Sequence, residues 1–203
     1  MSDELILYGF GVNDRSGKVR WLAHELGLPL DDRRIGLGEH RQAPYSDLNP
    51  YGMVPAVQWR GHTLIESTAI CTFVAEQFPA SGLVVAPGEP ARAAYLQWCA
   101  LFAETLESRL VENLLAGYEM LPPAFLETTK GSLERRLPVM VQRLPTSGFL
   151  VADRFTLADL EAAYSLRLAV RAGHVEMEAV QGYLRPLMER PAAKAAAFFS
   201  SIE

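Results

Sequence analysis

Residues 49–67 read NPYGMVPAVQWRGHTLIES, and this stretch decides the fold. It contains two β-rich runs separated only by Arg60-Gly61. A two-residue connection with glycine between such runs predicts a β-hairpin. Ser67 follows the second run and is a typical helix N-cap residue, so a helix is expected to begin there and to end before Pro79.

The residues before this stretch predict a β-α-β unit. Residues 5–8 form a short apolar run that ends at Gly9, as expected of a buried strand. Residues 16–26 place apolar side chains at helical spacing, and Gly27 ends that helix. A weaker strand is expected over 32–35. The predicted order is therefore β-α-β, a hairpin and a helix.

The sequence changes character near residue 80. Glycine and proline are frequent in residues 81–90, which predicts a linker. We therefore expect an α/β domain over residues 1–80 and an all-helical domain over residues 91–203.

The second domain is expected to be helical because its apolar residues recur every three or four positions. The first helix carries this stripe on Tyr95, Trp98, Cys99, Phe102, Leu106, Leu110 and Leu114. Further helices are expected over 123–144, 177–190 and 192–199. Another begins at Thr156, whose hydroxyl and the carboxylate of Asp159 form an Asp variant of the capping box.

Composition excludes several classes of protein. The 203 residues include 19 Lys and Arg against 24 Asp and Glu, a net charge of −5, which disfavours nucleic-acid binding. No apolar run approaches the roughly 20 residues that span a bilayer, and the acidic start is unlike a signal peptide. Cys71 and Cys99 fit apolar helix faces and no Cys/His cluster has zinc spacing. We expect a cytoplasmic protein without a metal and without membrane partners.

The run 49–55 followed by Glu66-Ser67 resembles the glutathione-binding core of the cytosolic glutathione S-transferase superfamily. The resemblance covers nearly the whole chain and is to serine-type, bacterial-like members. It implies an N-terminal thioredoxin-like domain of order β-α-β-α-β-β-α and a C-terminal helical bundle. It also implies glutathione as co-substrate, a small hydrophobic electrophile as second substrate, a detoxification role and a homodimer.

The resemblance assigns four residues to the cysteinyl and γ-glutamyl parts of glutathione. It implies a cis Val54-Pro55 bond, with the Val54 N–H and C=O pairing with the cysteinyl backbone like an added strand. Ser67 and the helix N-terminus would hold the γ-glutamyl carboxylate, and Glu66 the adjacent ammonium. The alternative is that Ser67 only caps the helix and that Glu66 is an acid favoured by the helix dipole.

The glycyl carboxylate of glutathione needs a cation or another donor. By resemblance His40 is the best match, and the alternative is a solvated loop histidine. A lysine often precedes the Val-Pro pair in the family, whereas this chain has Met53. The methionine predicts weaker binding of glutathione, or that Arg41 binds the glycyl carboxylate instead.

The glutathione thiol must ionise before it can react. Lowering a thiol pKa by about two corresponds to roughly 2.7 kcal/mol, which one hydrogen bond and a helix N-terminus can supply. Asn13 matches the position of the family's catalytic serine, and its amide can donate to a thiolate without acting as a base. Ser16 and then Tyr8 are the next candidates, and the charge of Arg15 could assist. The alternative for Asn13 is helix capping, and for Tyr8 a place in the strand core.

Phe10 and Tyr118 are the residues expected to contact the electrophile. The sequence thus predicts a glutathione transferase. A glutathione-dependent isomerase or dehalogenase would use the same thiolate. A non-catalytic binding or interaction protein is the other alternative, because Asn13 and Met53 replace the family's serine and lysine.

Overall fold

A computed structural model describes residues 3–146 and 148–202, which form two compact units. The first unit comprises residues 3–84 and 188–201, and the second comprises most of the rest. The elements of the first unit, in chain order, are β1 (Leu5–Gly9), α1 (Ser16–Leu26), β2 (Leu30–Arg34), a 3₁₀ turn (Glu39–Arg41), α2 (Tyr45–Leu48), β3 (Ala56–Trp59), β4 (His62–Ile65), α3 (Ser67–Glu76), a 3₁₀ turn (Pro79–Ser81) and α9 (Pro191–Ala195).

The first unit is built on a four-stranded mixed sheet of order β2-β1-β3-β4. β1 pairs in parallel with β2 and antiparallel with β3, and β3 pairs antiparallel with β4. Arg60 and Gly61 connect β3 to β4 with φ of 47° and 83°. Two positive φ values match the twist of a tight hairpin, which confirms the predicted turn. The predicted β-α-β-α-β-β-α order is also confirmed.

Burial of one face of the sheet explains why apolar residues alternate between buried and half-buried positions along β1. Leu5 and Leu7 are fully buried, whereas Ile6 and Tyr8 on the opposite face are half-buried. Val19 and Leu22 of α1 are equally buried, as expected of a helix that packs its apolar face on the sheet. β2 begins at Leu30, not at residue 32 as predicted, because Leu30 is in register with Leu5.

Residues 188–201 belong to the first unit, although the sequence placed them in the helical domain. Phe198 and Phe199 pack on the fully buried Trp21 of α1, with ring centroids 4.6 Å and 5.6 Å away. Arg190 pairs with Glu25 of α1 at 2.7 Å. A helical run does not indicate which hydrophobic core its apolar face will cover. The sequence therefore did not predict that residues 188–201 pack on the first unit.

All regular elements of the second unit are helices among its described residues. Its helices are α4 (Arg92–Ala100), a π-helical stretch (Leu101–Glu107), α5 (Ser108–Gly117), α6 (Pro123–Gln142), α7 (Leu157–Arg171) and α8 (Met177–Met188). α4, the π-helical stretch and α5 follow one another without a break, as the predicted long helix requires. Phe102, Leu106 and Leu110 are fully buried on its apolar stripe.

The predicted capping box at the start of α7 is present and extends further than expected. Thr156 N–H donates to Asp159 Oδ2 at 2.9 Å, and the Thr156 hydroxyl accepts from Ala158 N–H. The other oxygen of Asp159 accepts from Leu150 N–H at 2.9 Å and from the Tyr183 hydroxyl at 2.8 Å. Burial raises the pKa of Asp159, and these donors oppose the increase. One buried carboxylate thus joins the start of α7 to the preceding loop and to α8.

None of the helices described is both long and apolar enough to cross a membrane.

We predict that Asp159→Ala lowers the free energy of unfolding by about 3–5 kcal/mol, because it leaves buried donors on Leu150, Thr156 and Tyr183 without an acceptor. Urea denaturation followed by circular dichroism would measure this loss. The exposed Asp47→Ala is the control and should change stability by less than about 0.5 kcal/mol. An equal effect of the two substitutions would contradict a structural role for Asp159.

Candidate functional site

The loop between β1 and α1 is organised by the carboxylate of Asp14. Its Oδ2 accepts from Gly11 N–H at 2.8 Å, and its Oδ1 accepts from Ser16 N–H at 2.6 Å. The second bond satisfies a first-turn N–H of α1, the role of a capping acid. The sequence considered capping for Asn13, and Asp14 next to it makes these two bonds.

Arg20 of α1 also binds this loop through hydrogen bonds. Its guanidinium binds Asp32 of β2 with two bonds, from Nε at 2.8 Å and from Nη2 at 2.9 Å. It also donates to the Gly11 carbonyl at 3.2 Å and to the Ser16 hydroxyl at 3.4 Å. Arg20 is only 5% exposed, so the loop is fixed by a buried, almost fully bonded cation.

The three candidate thiol donors lie in different environments. The Ser16 hydroxyl is fully buried and donates to the Gly11 carbonyl at 3.0 Å. The Tyr8 hydroxyl donates to Gln58 Oε1 at 3.0 Å and accepts from Arg33 Nη1 at 3.0 Å. Asn13 is the exposed one of the three.

His40 is buried against the β1–α1 side of the unit. Its ring meets Phe10 edge-to-face with centroids 5.0 Å apart. Its Nδ1 accepts from Gly38 N–H at 3.0 Å, so in the neutral ring the proton resides on Nε2. Within the described part of the chain this Nε2–H has no hydrogen-bond partner, which leaves a donor on a side chain that is 8% exposed.

Residues 51–53 pass close to the turn that carries His40. Gly52 has a φ of 59°, and a Cβ there would lie 3.2 Å from Arg41 Cγ and 3.4 Å from the His40 carbonyl. Glycine is required by both the conformation and this close approach. The exposed stem of Arg41 therefore lies over the segment that leads to Met53.

The backbone at Met53 is anchored by two buried side chains. Its carbonyl accepts from the Tyr45 hydroxyl at 2.5 Å and from Asn49 Nδ2 at 2.8 Å. Burial, with a smaller effect of the Asp14 carboxylate, raises the pKa of Tyr45 to about 12, so its hydroxyl stays a donor. The side chain of Met53 itself is 45% exposed.

The Val54-Pro55 bond is cis, as the resemblance implied. Val54 lies just before β3, and among the residues described its N–H and C=O have no hydrogen-bond partner. Pro55 is buried beneath it. The chain therefore presents one unpaired backbone donor and one unpaired acceptor side by side, the requirement for adding an extended peptide.

Glu66 and Ser67 meet at the start of α3. Glu66 has a φ of 66°, a conformation that costs a non-glycine residue about 1–3 kcal/mol and that is concentrated at ligand sites. Ser67 is 4% exposed, and in the described chain its hydroxyl has no hydrogen-bond partner. Among the described residues no side chain caps α3, and the N-terminus of a helix favours an anion.

The remaining predicted residues are placed individually. Arg15 occupies the N-cap position of α1. Tyr118, in the helical unit, follows α5 and is 60% exposed. Over residues 3–146 and 148–202, no group of three or more His, Cys, Asp or Glu is arranged to hold a metal ion.

Comparisons with known proteins agree with this geometry. Residues 15–77 match the family described as glutathione S-transferase, N-terminal domain. Glutathione S-transferase F7 of Arabidopsis thaliana is 28% identical over 93% of this chain and 96% of its own length. The glutathione transferase URE2P6 of Phanerochaete chrysosporium, solved with oxidized glutathione, superposes with a TM-score of 0.82 at 25% identity, over 98% of this chain and 97% of that one. A glutathione transferase from Methylococcus capsulatus superposes with a TM-score of 0.80 at 26% identity, over 97% of this chain and 98% of that one.

The chain is related to the glutathione S-transferases. This similarity confirms the predicted fold of a thioredoxin-like domain with a helical domain, and it supports the predicted family through a match over residues 15–77 and through relatives that are 28% identical. The predicted enzyme class is confirmed as well, because relatives that match most of the chain carry the name glutathione S-transferase. The roles of individual residues stay predictions.

Sequence reasoning missed the residues that support the backbone of the candidate site. Arg20, Tyr45 and Asn49 hold backbone carbonyls, and none lies in a recognisable motif. Asp14 offered a signal, since an acid just before a helix is a common cap. The partner of Arg20 on β2 is twelve residues away, and only the parallel pairing of the strands brings it near.

We predict that Asp32→Asn lowers the free energy of unfolding by about 2–3 kcal/mol and speeds amide exchange at Gly11 and Asn13, because it leaves the buried Arg20 without its counter-charge. Hydrogen exchange with thermal denaturation would measure both effects. Asp31→Asn is the matched control, since Asp31 pairs with the exposed Arg33 and should cost less than about 1 kcal/mol. Unchanged exchange in the loop of Asp32→Asn would show that Arg20 does not order it.

Proposed function

We propose that the protein is a glutathione transferase that binds glutathione in its first unit and directs the thiolate onto a small hydrophobic electrophile. The observation that carries this proposal is the set of unpaired polar groups at Val54 and Ser67. An extended peptide with a carboxylate at one end satisfies both, and the homologous URE2P6 structure contains oxidized glutathione.

The first unit offers a partner for each part of glutathione. The Val54 backbone would pair with the cysteinyl residue. Ser67 and the N-terminus of α3 would bind the γ-glutamyl carboxylate, with Glu66 at the ammonium. The Nε2–H of His40 would donate to the glycyl carboxylate. Met53 leaves this end without the lysine frequent in the family, so Arg41, which lies over Gly52, would supply the positive charge.

Asn13 is the proposed donor to the thiolate. Its exposed side chain precedes the N-terminus of α1, where the helix dipole favours a negative charge. Ser16 is fully buried, and Tyr8 lies within β1. An amide donor stabilises the thiolate but takes no proton, so the thiol proton would leave to solvent. Arg15, beside Asn13, would add to the positive field.

The proposal extends to a cytoplasmic homodimer with a detoxification role, as for the family that the sequence resembles. Phe10 and Tyr118 remain the predicted contacts of the electrophile. Sedimentation at micromolar concentration would test the dimer, and a monomeric mass would contradict it.

The experiment that tests the function separates binding from turnover. Retention on immobilised glutathione is measured first, and conjugation of an activated aryl chloride second. Ultraviolet difference absorbance reports whether the bound thiol ionises. Binding without ionisation would overturn the enzyme and favour a non-catalytic binding protein. Absence of binding would overturn every glutathione-dependent function, including isomerisation and dehalogenation.

We predict that Asn13→Ala lowers kcat/KM for conjugation by about 10- to 100-fold and raises the pKa of the bound thiol, because a charge-assisted hydrogen bond is lost. Asn13→Ser should restore activity, since serine is the donor in serine-type relatives. Tyr8→Phe is the control and should change kcat/KM by less than about threefold. Full activity of Asn13→Ala together with loss in Tyr8→Phe would reverse the assignment.

We also predict that Ser67→Ala weakens glutathione binding by about tenfold with little loss of folding stability, because its hydroxyl bonds no described protein group. Calorimetric titration and thermal denaturation measure the two quantities. Thr63→Ala on the exposed edge strand β4 should leave affinity unchanged. If Ser67→Ala mainly destabilised the fold, Ser67 would be a helix cap and no more.

A further inference from the structure

The helical unit contains a groove that the proposed transferase chemistry does not use. It has a volume of about 490 Å³ and runs between α6 and the segment that joins α7 to α8. Leu133, Leu137 and Val141 contribute its apolar side, and Glu134, His174 and Glu176 contribute polar groups. We name this feature the α6 groove. Its volume lies within the range of small-molecule sites.

Proline in the middle of α6 adds a backbone acceptor to the groove. Pro138 lines the groove and has no N–H, so the helix lacks the bond from position 138 to the Glu134 carbonyl. The carbonyl belongs to a residue that lines the same groove. A ligand with an N–H group therefore does not compete with an N–H of position 138 for this carbonyl.

The histidine of the groove is held as an acceptor too. Asn113 Nδ2 donates to the Leu126 carbonyl at 3.2 Å and to Thr129 Oγ1 at 2.9 Å, so its Oδ1 must be the acceptor. His174 Nε2 lies 2.8 Å from that Oδ1 and is therefore the protonated nitrogen. Nδ1 then carries a lone pair, and in the described chain it has no partner. Burial lowers the pKa of His174, which keeps the ring neutral at pH 7.

The charges of the groove have one sign. Glu134 and Glu176 line it, and the described lining contains no lysine or arginine. Lys130, one turn before Glu134 on α6, acts on His174 but is not part of the lining. Two carboxylates, a histidine lone pair and a backbone carbonyl are all acceptors. In the described lining only Gln142 has a side-chain donor that is still available, because the Nε2–H of His174 is bonded to Asn113.

We propose that the α6 groove binds a small apolar molecule that carries a protonated amine. Its hydrocarbon part covers Leu133, Leu137 and Val141, and its ammonium donates to the acceptors around Glu134 and His174. This ligand chemistry is opposite to that of the anionic tripeptide proposed for the first unit. The proposal stands without the transferase activity.

Three matched probes of one shape test the chemistry. 2-Phenylethylamine, 2-phenylethanol and 3-phenylpropionate are titrated into the full chain, followed by calorimetry and by amide NMR shifts. We expect the amine to bind at least tenfold more tightly than the alcohol, the carboxylate not to bind, and the shifts to centre on Val175 and Ala179. Equal binding of amine and alcohol, or no binding of the amine at 10-fold excess over about 1 mM protein, would overturn the proposal.

Substitutions locate the ammonium. Glu134→Gln and Glu176→Gln should each weaken amine binding by about two- to fivefold, and the double variant by more than either. Glu178→Gln is the control, because Glu178 is exposed and outside the lining. Ala179→Phe, which fills the groove, should abolish binding of the amine. If the double variant bound the amine as tightly as the parent chain, the site would lie elsewhere. Circular dichroism spectra equal to that of the parent confirm that each variant is folded.

Discussion

The buried guanidinium of Arg20 is the constraint on which the first unit depends. It reaches from α1 to Asp32 on β2 and to the Gly11 carbonyl in the loop above, so it ties three separate parts of the chain together. A cation that is 5% exposed is tolerated only when its donors are satisfied. The backbone of Gly11 and the hydroxyl of Ser16 must therefore stay where Arg20 can reach them. The position of Asn13, two residues from Gly11, follows from that requirement.

The proposed glutathione site of the first unit relies on local donors and not on net charge. With a net charge of −5 the chain has no general attraction for a tripeptide that is itself negative. Binding must therefore come from individual donor groups at the site. The Ser67 hydroxyl, the His40 Nε2–H and the Val54 N–H are held on rigid supports and, within the described residues, are bonded to nothing else. Such donors meet a ligand without first breaking a bond to protein.

The sequence was sufficient for most of the helices and strands, because these leave local signals. The hairpin at Arg60-Gly61 and the capping box at Thr156 depend only on neighbouring residues, and both were predicted correctly. The supports could not be predicted in this way. Asp32 meets Arg20, and Phe198 meets Trp21, through distances along the chain that no local pattern records. The prediction failed where an interaction depends on the tertiary fold.

The two units differ in the kind of polar group that they leave unpaired, and this difference predicts the kind of ligand. An unpaired buried group costs about 1–3 kcal/mol, so it is expected to persist where a ligand or water supplies the partner. In the first unit the buried unpaired groups are donors, at Ser67 and His40, whereas the α6 groove offers acceptors, on the half-buried His174 and the exposed Glu134. Elsewhere buried polar groups such as Asp159 are almost completely bonded. The buried hydroxyl of Ser201 also has no partner among the described residues, and it lies in neither place. The two places therefore offer hydrogen-bonding groups of opposite character, and a ligand of the opposite character would complete each of them.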